Sequence, residues 1–153
     1  MKPEIKQEWL EELRSGNLKQ GNGRLTYRNP DDGSELDCCL GVLCKIAVKH
    51  GITSVVVRPF EDQETIAYGT LDDVAILPEN VAQWASITRS GDLHTVFENE
   101  HYDPDASSGI GKEISSLTEM NDAGYTFAEI ADVIEKEFDE IRGNSGHSSS
   151  YDF

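Results

Sequence analysis

The sequence predicts an α+β domain, a small antiparallel sheet packed with helices and closed by a C-terminal helical hairpin. Three observations carry that expectation. Residues 3–15 set Ile5, Trp9, Leu10 and Leu13 on one helical stripe. Residues 52–68 hold two strand-forming runs divided by a turn at Glu61-Asp62-Gln63. Residues 126–141 repeat Phe127, Ile130, Ala131, Ile134, Phe138 and Ile141 at helical spacing.

The elements follow in order. Pro3 and Glu4 suit the first turn of the first helix, and Gly16-Asn17 stops it. Gly21-Asn22-Gly23 marks a turn, and Arg24–Arg28 alternates as a strand does. Asn29-Pro30-Asp31-Asp32-Gly33 is a loop, after which the chain returns through Leu36 to Cys38 as the second arm of a hairpin. From Cys39, the residues Leu40, Leu43, Ile46 and Ala47 predict a helix ending at Gly51. A short helix is expected over Pro78–Ala85 and a short extended piece over Leu93–Phe97. Residues 112–121 read as a helix through Ile114, Leu117 and Met120. Asp122-Ala123-Gly124 breaks it, and Thr126 with Glu129 forms a capping box for the last helix. One compact domain is expected over residues 1–142, with a Gly/Ser-rich disordered tail at 143–153.

Composition narrows the function. The 153 residues include 29 acidic and 13 basic side chains, a net charge of −16. That balance argues against binding duplex nucleic acid, which needs clustered Lys and Arg. No apolar run approaches the roughly 20 residues that span a bilayer, so no membrane partner is expected. Met1–Lys6 has no apolar stretch behind its charges, so the expected location is cytoplasmic. Cys38, Cys39 and Cys44 are an odd number within an apolar run, which suits reduced core thiols. Neither they nor the four histidines show zinc-ligand spacing, and no metal or cofactor is expected.

Charge is unevenly distributed. Between Leu13 and Pro30 there is no acidic residue, and Arg14, Lys19, Arg24 and Arg28 give a local +4. From Asp92 onward fifteen acidic residues face three basic ones. Such a basic corner suits a small anion held by a few directed donors; its bland alternative is pairing of the four cations with the acidic helices. Ser107-Ser108-Gly109-Ile110-Gly111-Lys112 precedes the predicted 112–121 helix and suits a backbone anion cradle, or else an ordinary flexible loop. It is not a Walker A loop, because Ala106 and Glu113 stand where Gly and Ser or Thr are required. Asp103–Ile114 fails as a calcium loop at Ser108 and Ile114. The acidic pairs Glu61-Asp62 and Asp72-Asp73 read as solvated turns.

Three segments together carry a resemblance. They are Trp9–Leu25 (WLEELRSGNLKQGNGRL), Cys38–Cys44 (CCLGVLC) and Leu117–Glu135 (LTEMNDAGYTFAEIADVIE). In this order they resemble a widespread family of small bacteriophage proteins. Members commonly carry Leu-Asn-Asp where this chain has Met120-Asn121-Asp122. The resemblance implies an infected bacterial cell as the setting and action by binding. Joined to the charge argument, it gives an expectation of a non-enzymatic sponge for a nucleotide-derived immune signal, an ADP-ribose derivative or a cyclic nucleotide. Lys19, Gln20 and Arg24 would meet phosphates, with backbone donors at Ser108, Gly109 and Gly111 and the charge of Lys112. Asn121 and Asp122 would read hydroxyls or a base edge, and Tyr27 or Tyr125 would stack. Tight enclosure favours a site between subunits, hence a homo-oligomer. The alternatives are an acidic inhibitor or DNA mimic that binds a host protein, and a nucleotide-degrading enzyme.

Overall fold

The computed structural model describes residues 1–70, 74–105 and 109–138. Among these residues, five helices accompany a mixed five-stranded sheet and a two-stranded ribbon, an α+β architecture. The expected tail at 143–153 and the end of the last helix past Phe138 lie outside the described residues.

Helix α1 (Pro3–Ser15) buries Ile5, Trp9, Leu10 and Leu13, and Gly16 ends it at φ 78°, a left-handed conformation that glycine adopts without steric cost. It lies against α2 (Cys39–Lys49) and α5 (Phe127–Glu137). The central helix α2 buries eight of its eleven residues, which explains why its sequence is apolar almost all round. Trp9 Nε1–H donates to the Cys39 carbonyl at 3.0 Å, which fixes α1 to the start of α2.

The strands are β1 (Lys19–Gln20), β2 (Thr26–Arg28), β3 (Glu35–Asp37), β4 (Val55–Phe60) and β5 (Gln63–Tyr68), in spatial order β1-β3-β2-β5-β4. The β2–β3, β2–β5 and β4–β5 pairs are antiparallel, and β1 adds a parallel pair with β3 at one edge. Two residues give β1 no periodicity to read, so the sequence did not reveal it.

Helix α3 (Glu79–Ala85) follows, then strands β6 (Asp92–Glu98) and β7 (Glu113–Ser116), then α4 (Leu117–Asp122). Here one expectation is corrected. Residues 113–116, read as the start of a helix, form β7, and the helix begins only at Leu117. Ile114 and Leu117 are three apart, a spacing that mimics a helical face. The burial of Ile114 and Ser116, with Glu113 and Ser115 exposed, has the period of two that belongs to a strand. Ser116 caps α4 by accepting from the Glu119 N–H. The expected capping box at Thr126 and Glu129 is formed in full.

Candidate functional site: the outer face of the sheet

Register decides which side chains share a face, because directly opposed residues point the same way. Gln20, Asp37, Thr26, Ile66 and Val57 form one transverse row across all five strands. This row faces α2. Lys45 Nζ of α2 donates to Asp37 Oδ2 at 2.9 Å and to Glu35 Oε1 at 2.8 Å. Thr26 Oγ1 donates to Asp37 Oδ1 at 2.6 Å and also contacts the Tyr68 hydroxyl at 2.8 Å. Burial raises the Asp37 carboxyl above its ordinary value despite these partners.

The adjacent row is Lys19, Leu36, Tyr27, Thr65 and Arg58, and it points away from α2. Five strands at roughly 4.8 Å spacing put about 19 Å between the Lys19 and Arg58 backbones. Val56 and Phe60 share this face with Arg58, since strand side chains alternate. Arg24, just before β2, sets its guanidinium 4.5 Å from the centre of the Phe60 ring and 5.7 Å from that of Tyr27. Its Nη1 donates to Gln63 Oε1 at 3.3 Å. Phe60 is 41% exposed. Among the described residues, no carboxylate pairs with Lys19, Arg24 or Arg58.

The four cations of the basic segment therefore divide. Arg14 bridges Asp132 at 2.8 Å and Glu135 at 3.0 Å, tying α1 to α5. Arg28 lies on the α2 side of the sheet, with Glu64 at 2.7 Å and Glu35 at 3.8 Å. Lys19 and Arg24 remain on the outer face, Arg24 against Tyr27 and Lys19 across Leu36 from it. Arg58 and Phe60, which were not among the candidates expected from the sequence, join this face from a strand thirty residues later. Their alternation in Val56-Arg58-Phe60 was visible, but the register that aligns them with Tyr27 was not.

The other candidate residues are placed elsewhere or are engaged by the fold. Gln20 and Asn121 meet in the interior. Gln20 Nε2 donates to Asn121 Oδ1 at 3.0 Å and to the Tyr125 carbonyl at 2.7 Å, while its Oε1 accepts from the Phe127 N–H at 3.0 Å. Asn121 Oδ1 also accepts from the Cys39 N–H at 3.1 Å, and Nδ2 donates to the Gly21 carbonyl at 2.7 Å. Asp122 accepts from the Gly23 N–H at 3.2 Å, and burial raises its carboxyl. So the 20–23 segment and the 121–122 turn do meet, through bonds that hold the fold together. Tyr125 is buried, its hydroxyl accepting from the Glu100 N–H at 2.9 Å and its ring against Phe97 and His101. Gly109, Gly111 and Lys112 sit on the β6–β7 connection. The Gly111 carbonyl accepts from Asn99 Nδ2 there, and the Lys112 ammonium lies 5.8 Å from the centre of the Tyr102 ring. Ser108 lies outside the described residues.

Two concavities are formed by described residues. One, of about 600 Å³, is lined by the acidic outer side of α1, including Glu4, Glu8, Glu11 and Glu12. The other, of about 510 Å³, is lined by Gly69, Thr70, Pro78, Glu79, Asn80 and Arg89. The three thiols are buried, and burial raises all of them, Cys38 to about 12, which leaves them poor nucleophiles. Among the described residues, no group of His, Cys, Asp or Glu is arranged to hold a metal ion, and no helix is long and apolar enough to cross a membrane.

A family model described as "Domain of unknown function (DUF8296)" matches residues 1–138, and the chain belongs to that family. No curated protein and no solved structure matches it.

Proposed function

We propose that the outer face of the sheet binds a nucleotide-type anion without chemical change. The observation that carries this reading is a contrast between the two faces. On the α2 side, Arg28 and Lys45 are paired with carboxylates. On the outer side, Lys19, Arg24 and Arg58 form no salt bridge among the described residues, and Arg24 stands against two aromatic rings. In a chain of net charge −16, three such cations on one face are places where a phosphate gains without displacing an internal ion pair. The Arg24 guanidinium stacked near Phe60 is a charged planar platform for a base, and Tyr27 offers a second ring. Cations about 19 Å apart suit an elongated ligand with separated anionic groups, such as an ADP-ribose derivative or a cyclic oligonucleotide. Sequestration of such a bacterial immune signal in a phage-infected cell is the biological role this reading gives the chain.

A panel of cyclic nucleotides and ADP-ribose derivatives, screened by thermal shift, tests it, because tight binding to the native state raises Tm. Ligand recovered by heat denaturation should be intact; an altered ligand would indicate an enzyme. Arg24→Ala should weaken binding by roughly 1.5–3 kcal/mol, the range for a charged hydrogen bond, with the fold unchanged. Unchanged affinity by calorimetry would remove Arg24 from the site. A protein that binds no member of the panel but captures a host protein in a salt-sensitive manner would favour the inhibitor alternative.

A further inference from the structure

We propose that β4 is a self-pairing edge through which two copies of this chain join into one continuous ten-stranded sheet. The proposal rests on backbone geometry and stands apart from the ligand reading. The Gly69 N–H donates to the Ser54 carbonyl at 2.8 Å, extending the β4–β5 ladder by one pair. Hydrogen-bonded and non-bonded pairs alternate in an antiparallel ladder. Ser54, Val56, Arg58 and Phe60 therefore turn their backbone groups toward β5, and Val55, Val57 and Pro59 turn theirs outward. Pro59, which has no N–H, falls in the outward phase, as proline does on an edge strand. β4 ends the strand order and, among the described residues, pairs only with β5. Val55 and Val57 are 48% and 42% exposed on this edge. The Val55–Val57 stretch of this edge, apolar and with outward backbone donors and acceptors, is a template for another strand, and Pro59 ends the run of donors.

The edge is complementary to itself. A two-fold axis beside Val56 brings Val55 opposite Val57 of the second copy, so each pair exchanges both backbone bonds. The exposed valines then cover one another. Arg58 falls opposite Ser54 of the second copy, and the two Arg58 positions stay roughly 13 Å apart along the strands. Apolar residues thus meet apolar ones across the seam, and Arg58 faces no like charge. The second copy also extends the outer face, placing Ile52 and Ser54 of one copy beside Phe60 and Arg58 of the other.

Two copies of charge −16 repel at long range, so association should strengthen with added salt. The test is sedimentation of the full chain from about 5 to 500 μM, a range that spans small transient interfaces. The wild type should pass from monomer to dimer. Val57→Lys should stay monomeric while keeping its circular dichroism spectrum. Val56→Cys supplies an independent readout, because opposed non-bonded positions lie about 4.5 Å apart, within disulfide range. It should form a disulfide-linked dimer under mild oxidation, whereas Arg58→Cys should not. A wild type that is monomeric throughout overturns the proposal. So does a dimer that survives Val57→Lys, or one in which Val56→Cys fails to cross-link.

Discussion

Gln20 and Asn121, separated by 101 positions in the chain, are joined side chain to side chain at 3.0 Å. Between them they satisfy backbone groups of Gly21, Cys39, Tyr125 and Phe127. One polar pair thus fastens the β1 segment, the start of α2 and the α4–α5 turn. A part-buried polar pair with this many backbone partners specifies a unique packing.

Asn121→Ala should therefore destabilise the fold by about 3 kcal/mol, since it strands a buried N–H, a carbonyl and the Gln20 amide. Urea unfolding would measure it. A loss below about 0.5 kcal/mol would mean that the pair is replaceable by water.

Gly41 lies inside α2, where a Cβ would overlap the Leu25 carbonyl oxygen. The helix approaches β2 closely only because that side chain is missing. Gly41→Ala should cost about 2 kcal/mol or more through forced displacement, against the slight gain that Ala normally brings to a helix. A thermal melt decides the sign, and a raised Tm would contradict the close approach.

Asp122 gives a pH-dependent prediction. Burial raises its carboxyl in the folded chain, so the folded form holds the proton more tightly than the unfolded form. Its contribution is fullest below the unfolded aspartate value of about 3.9 and declines as pH rises through the raised folded value. Asn at this position keeps an oxygen for the Gly23 N–H and does not titrate. The Tm of Asp122→Asn relative to wild type should therefore climb with pH across that window, as differential scanning calorimetry would record.

Cys38, Cys39 and Cys44 should resist iodoacetamide in the native chain and react together after denaturation, because burial raises all three thiols. Mass spectrometry before and after unfolding reads this directly. Rapid native labelling of one thiol would reopen the case for a cysteine nucleophile.

Arg14 provides the contrast to Arg24. Its partners Asp132 and Glu135 are largely exposed, so Arg14→Ala should cost only about 0.5 kcal/mol of stability. It should leave nucleotide affinity unchanged in the calorimetric assay that registers Arg24→Ala.

Sequence was informative wherever the determinant is local. The left-handed stop at Gly16, the capping box at Thr126 and Glu129, and the apolar stripe from Phe127 to Ile134 each depend on residues within a few turns of one another. Glu113–Ser116 misled because Ile114 and Leu117 fit a helix as readily as a strand followed by a helix. The cationic corner misled for a different reason. Arg14, Lys19, Arg24 and Arg28 are neighbours along the chain, but α1 carries the first toward α5 and strand alternation sends the last to the α2 side. The outer face needs Arg58 and Phe60, whose alignment with Tyr27 passes through β5, and pairing between distant strands leaves no mark in composition or spacing. Gln20 and Asn121 were both singled out from sequence, yet the bonds that occupy them are visible only in three dimensions.

The two borders of the main sheet are unequal. One is the six-residue β4, and the other is the two-residue β1, held in place through Gln20. A stub of that length offers almost nothing for a further strand to grip. Growth of the main sheet by strand addition would consequently terminate after a single joining event, so this sheet can carry one sticky rim without seeding a fibre.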